Sequence, residues 1–61
     1  MTGQEVREIR KRLGMSQGDF GSLLGFHHPQ IRISELERNV RKVSVVKEMY
    51  IRHFNKKGIK K

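Results

Sequence analysis

SQGDFGSLLGFHHPQIRISELERN, residues 16–39, carries the punctuation of two short helices joined by a tight turn. A Ser16 side-chain oxygen can accept a hydrogen bond from the first turn of a helix, and Asp19, three residues on, is placed to reach back, so the pair marks a helix start. Phe20, Leu23 and Leu24 follow at helical spacing on one face. Gly25 suits the left-handed residue that closes a helix. A second helix then begins at or just before Pro29, because proline is at home in a first turn, where its missing N–H has no intrahelical partner. Ile33, Leu36 and Val40 continue an apolar stripe, which leaves Gln30, Arg32, Ser34 and Glu35 on other faces.

The 61 residues set narrow limits around this pair. A domain of that size buries only about 60% of the surface of its unfolded chain. It has no room for a walled enzyme cleft. Without cysteine there is no disulfide and no Cys-based zinc site, so the core is built from Val, Ile, Leu, Met and Phe alone. No apolar run approaches the roughly 20 residues of a membrane span, and a signal-peptide core is missing from the first residues, which points to a cytoplasmic protein without membrane partners. Lys and Arg number 14 against 6 Asp and Glu, a net charge of +8. Nucleic acid is the commonest partner of such a surface, since each cation that neutralises a phosphate releases condensed counterions. Charge alone also fits a ribosomal protein or an anionic membrane. In a chain this basic, a helix with one buried and one long polar side, preceded by a shorter helix and a turn, reads as a helix-turn-helix.

The flanking segments read as support. Thr2 and Glu5 form a second capping box that opens a helix to about Arg12, with Val6, Ile9 and Leu13 inward and Gly14 at its end. Arg7, Lys11 and Arg12 are left to solvent or to phosphate contact. After the basic connector 40–43, Ser44 is an N-cap for a last helix to about Phe54. There Val46, Met49, Tyr50 and His53 recur at helical spacing as its inward face, leaving Val45, Ile51 and Phe54 partly covered. The sequence thus implies an all-α, compact four-helix domain over residues 1–54 and a disordered basic tail over 55–61. His27 and His28 are adjacent and point in different directions, with no carboxylate at ligand spacing, so no metal site is expected. Neither cofactor nor small-molecule ligand is expected, and no nucleophile and base stand in a catalytic pattern.

LGMSQGDFGSLLGF (residues 13–26) followed by ISELERN (33–39) resembles the Cro/cI-type (XRE) helix-turn-helix family of phage and bacterial repressors. There a short helix opens with Ser or Thr then Gln, a small residue sits mid-helix, a leucine pair precedes glycine, and the second helix ends in Ile-x-x-Trp/Leu-Glu-x-Gly/Asn. The resemblance spans Val6 to Phe54 and implies a lambda-repressor-like fold. One departure is a longer connection between Gly25 and Ile33, with His27, His28, Pro29 and Gln30 where the turn meets the second helix. Aligning on Ile31 instead would remove the extra length but leave no apolar partner at Ser34 or Glu35, so Ile33 and Leu36 are kept as the buried pair.

The resemblance implies a mode of action. The second helix would lie in the major groove while the first crosses the backbone. Gln30, Ile31, Arg32, Ser34 and Glu35 are then the candidate base contacts: Gln30 bidentate to adenine, Arg32 to guanine, Glu35 accepting from a cytosine amine, with Ile31 and Ser34 toward thymine methyl or hydroxyl contacts. A solvated helix face is the competing reading for each. Gln17, His28, Arg38, Asn39, Arg41 and Lys42 are the candidate backbone contacts, which position the protein without reading sequence. Gly21 falls where the family needs a small residue between the two helices. Arg10 and Glu37 match positions that carry a buried ion pair.

The implied partners are a double-stranded operator and a second copy of the chain, held as a weak homodimer through the segment after Asn39 with Val45, Ile51 and Phe54. The implied function is that of a small Cro-like transcriptional repressor. An antitoxin or restriction-control regulator of the same fold is a second reading. A helical module for RNA or protein is a third, of another class.

Overall fold

A computed structural model of the chain describes residues 1–58, and among these there are four helices and no strand: α1 (Gly3–Arg12), α2 (Gln17–Leu23), α3 (Pro29–Glu37) and α4 (Val45–Lys57). Each start has a local cause. Thr2 accepts from the Glu5 N–H at 3.2 Å while the Glu5 carboxylate accepts from the Thr2 N–H at 3.2 Å, closing the capping box of α1. Ser16 and Ser44 cap α2 and α4 by accepting from the N–H groups of Asp19 and Lys47. For α2 the bond is one-sided, because the Asp19 carboxylate does not return it. Pro29 opens α3 after His28, whose side chain makes no cap bond.

Three of the helices end alike. Gly14 (φ +70°), Gly25 (φ +83°) and Asn39 (φ +59°) take the left-handed conformation just past α1, α2 and α3. In each case two N–H groups fold back onto the last turn: Met15 to Arg10 and Gly14 to Lys11, Phe26 to Gly21 and Gly25 to Ser22, Val40 to Glu35 and Asn39 to Leu36. These are Schellman motifs. Asn39 is the non-glycine member, a residue type that tolerates this region better than most.

Val6, Ile9, Phe20, Leu24, Ile33, Leu36 and Ile51 form the buried core, with Met1, Leu13, Met15, Phe26, Val43 and Phe54 packed around it. The radius of gyration is 10.2 Å, against about 10.5 Å for a compact chain of this length. Ile33 and Leu36 are both buried while Ile31 is 59% exposed. The helical register chosen from sequence, with Ile33 and Leu36 as the buried pair, is therefore the one the structure has.

Other expectations fail. Leu23 is exposed, and only Phe20 and Leu24 of that stripe are buried in the core. Val40 is exposed because α3 has already ended. In α4 the faces are reversed: Ile51 is fully buried and Phe54 half-buried, whereas Val46, Met49, Tyr50 and His53 are exposed along with Val45. Two apolar stripes at helical spacing compete in this segment, and docking on α1 selects the one containing Ile51. The helix also runs past Phe54 to Lys57, where Asn55 accepts from Arg12 Nη1 at 2.9 Å, so residues 55–57 are not tail. Gly58 closes the helix with its N–H on the Phe54 carbonyl, and the last part of the expected tail, residues 59–61, lies outside the described residues.

Candidate nucleic-acid interface

The pair α2 and α3 is pinned by a backbone-close approach. A methyl group placed on Gly21 would overlap the Pro29 carbonyl, Cα and ring, so α3 starts directly against the middle of α2. Glycine therefore serves as the contact surface itself, which offsets its roughly 1 kcal/mol disadvantage in a helix. The other end of α3 is held as closely. A methyl on Gly3 would run into the carbonyls of Leu36 and Glu37, and the Gly3 N–H donates to Asn39 Oδ1 at 2.9 Å. Asn39 thereby satisfies a first-turn N–H of α1 that has no intrahelical acceptor.

Glu37 turns inward. Its carboxylate accepts from Arg10 Nε at 2.6 Å, from Arg10 Nη2 at 3.3 Å and from Gln17 Nε2 at 3.2 Å, while Arg10 Nη1 donates to the Met15 carbonyl at 3.0 Å. Arg10 and Glu37 side chains are 13% and 7% exposed, so the expected ion pair is present and nearly covered. It ties α1 and the start of α2 to the last turn of α3.

On the outer side, 3.6 residues per turn place Ile31, Ser34, Glu35 and Arg38 opposite the buried pair Ile33 and Leu36, with Gln30 and Arg32 at the two edges. Gln30, Ile31 and Arg38 are exposed, and Ser34 is half-buried. Glu35 Oε1 accepts from Arg32 Nη1 at 2.9 Å and from Arg41 Nε at 3.3 Å. The Arg32 hydrogen bond, with the charges of Arg41 and Arg32 adding to it, holds the Glu35 carboxyl below its ordinary pKa against an opposing effect of desolvation. Arg38 Nε leans back on the Ser34 carbonyl at 3.4 Å.

All five residues named as base contacts thus lie on or beside one face of α3, but Arg32 and Glu35 are engaged with each other. The backbone candidates divide. His28, Arg38 and Lys42 are exposed and Arg41 adjoins Glu35, whereas Gln17 bonds Glu37 and the Asn39 side chain bonds α1. His27 was not among the sequence candidates. It is exposed and shares a shallow depression with Gly18, His28, Pro29, Gln30 and Ile31, where the first turns of α2 and α3 meet. Its signal was the polar run ahead of Pro29.

No helix among the described residues is long and apolar enough to cross a membrane. Neither a protein-family model nor a curated protein nor a solved structure matches this chain.

Proposed function

We propose that this chain is a sequence-specific DNA-binding regulator of the small Cro-like kind, with α2–turn–α3 as its helix-turn-helix, α3 in the major groove and α2 across the backbone. The observation that carries the reading is the outer face of α3. It carries Gln30, Arg32, Ser34, Glu35 and Arg38 around the exposed Ile31 and is fixed from behind by Gly21 against Pro29 and by Arg10 with Glu37, in a chain of charge +8. A rigid backing and a polar front are what reading base edges requires. The RNA alternative is weaker here because single-strand readers stack bases on aromatic rings. Phe20 is fully buried and Phe26 and Phe54 are half-buried, which leaves Tyr50 as the exposed aromatic ring apart from the histidines.

One α3 reads only a few base pairs, so selection of a site calls for two copies about 34 Å apart on a two-fold operator. The seam expected from sequence loses Ile51 to the core. In its place Val45, Val46, Met49 and Tyr50 line the outer side of α4, and Val40 is exposed in the connector before it. These side chains amount to roughly a few hundred Å² per copy, under the ~800 Å² per partner of stable complexes, so the dimer forms on DNA and dissociates in free solution.

Selection from a random duplex pool, followed by footprinting and a salt titration, tests the proposal. A palindromic consensus with two protected half-sites is expected, with log K falling steeply against log salt. Enrichment of no duplex sequence, together with a salt slope near zero, would sink it.

A further inference from the structure

Glu35 is an acid on the outer face of α3, the face that the proposed reading turns toward a polyanion. An unpaired carboxylate there would repel phosphate. It is instead paired twice, through the single oxygen Oε1, with Arg32 one turn earlier on the helix and with Arg41 beyond its end. We infer that Glu35 is a specificity-determining residue that reads no base: it holds Arg32 and Arg41 away from indiscriminate phosphate contact and aims Arg32 at one place.

This inference rests on the DNA-binding reading and deepens it. An arginine already paired with a carboxylate displaces few counterions when it nears a phosphate, since the pair must break or carry its negative charge along. Two of the chain's 14 cations are thereby withdrawn from sequence-blind binding. At the correct site the same pairing is useful. Arg32 bonds Glu35 through Nη1, which leaves other N–H groups of its planar fork for an acceptor pair such as guanine O6 and N7, with the plane of the fork already set. Affinity for random DNA is held down while affinity for the operator is kept. Specificity is the difference between the two.

The test is Glu35→Gln, which keeps the shape and removes the charge, with Arg41→Gln and the double variant completing a cycle. Circular dichroism and thermal melting establish that each is folded. Binding to a random-sequence duplex and to the selected duplex is measured across salt concentrations. In Glu35→Gln, random-sequence affinity should rise and the slope of log K against log salt should steepen by about 1 to 2, as up to two cations become available. The ratio of selected to random affinity should fall. Arg41→Gln should change the random-sequence slope little in the wild-type background and reduce it by about 1 in the Glu35→Gln background. Equal slopes for wild type and Glu35→Gln overturn this inference and leave the DNA-binding reading intact. So does a loss confined to one base position at unchanged slope, which would make Glu35 a base reader. A wild-type chain without salt-dependent duplex binding overturns both.

Discussion

The two sides of α3 are built on opposite terms. Its inner side is fixed by contacts that leave no slack: backbone on backbone at Gly21 and Gly3, and a nearly covered ion pair at Glu37. On the outer side, side chains reach solvent and their bonds stay within the helix and the few residues just after it. The lesson is a division of labour in a chain too small for separate scaffold and site. In the proposed reading one helix has to be the most constrained element and also the one that presents groups to a partner.

The comparison breaks most severely at Arg10. Arg10→Met removes both donors to Glu37 and the bond to Met15, leaving the Glu37 carboxylate with Gln17 alone. Uncompensated burial of that charge should cost about 3–5 kcal/mol. At about 4–8 °C per kcal/mol for a domain of this size, thermal melting should show the protein largely unfolded at moderate temperature. A melting point within a few degrees of wild type would mean that the pair is solvated.

Gly21→Ala comes next, at about 1–3 kcal/mol, because the added methyl meets the backbone and ring of Pro29 and α3 must shift. Chemical denaturation should report it as a lower midpoint, and DNA affinity should fall with it. Gln30→Ala on the exposed edge separates these two readouts. Stability should stay within about 0.5 kcal/mol, while discrimination at one base position falls by about 1–3 kcal/mol. A change in stability without a change in discrimination would assign Gln30 to the scaffold.

Asn39 follows α3 directly, with its backbone in the left-handed region and its side chain capping α1. Asn39→Ala loses the Gly3 cap and places an unsuited residue at φ +59°, whereas Asn39→Gly loses only the cap. The alanine variant should be less stable by about 1–2 kcal/mol and the glycine variant by less, as read from denaturation midpoints. Equal losses would show that the backbone conformation matters little there.

What could be read from the sequence was what neighbouring residues decide. Thr2 with Glu5, Ser16, Gly14, Gly25, Pro29 and Ser44 act within a turn of themselves, and each stands where the local pattern placed it. The face of α4 was misread because Ile51 with Phe54 and Val46 with Met49 and Tyr50 have equally good spacing, and only packing on α1 distinguishes them. The cap that Asn39 supplies to α1 was not legible because its partner, the Gly3 N–H, lies 36 positions away. The place of Asn39 straight after a helix end, where Gly14 and Gly25 stand in the other helices, was the available clue. On the outer face the residue types were legible and their mutual pairing was not. Arg32 and Glu35 are three apart and invite pairing, but the reach of Arg41 back to the same oxygen depends on how the chain turns after Asn39.

The smallest effect sharpens the comparison within a single helix. Gly18 and Gly21 both lie in α2, three residues apart, and by composition alone they are the same liability. Around Gly21 an added methyl has nowhere to go. At Gly18 the nearest heavy atom to such a methyl is Ser16 Oγ at 3.9 Å, an ordinary contact, and the position carries no positive φ. Gly18→Ala should therefore act through the unfolded chain, restricting its backbone freedom without disturbing the fold, and stabilise the protein by about 0.5–1 kcal/mol. The denaturation midpoint should rise at unchanged slope, because the surface exposed on unfolding stays the same. Opposite signs for one substitution at two positions in α2 would locate the tight contact at the Gly21 side of the helix. A loss at Gly18 comparable to that at Gly21 would instead mean that the first turn of α2 is packed as tightly as its middle, and the division between a fixed inner side and an open outer one would not hold at the end nearest the turn.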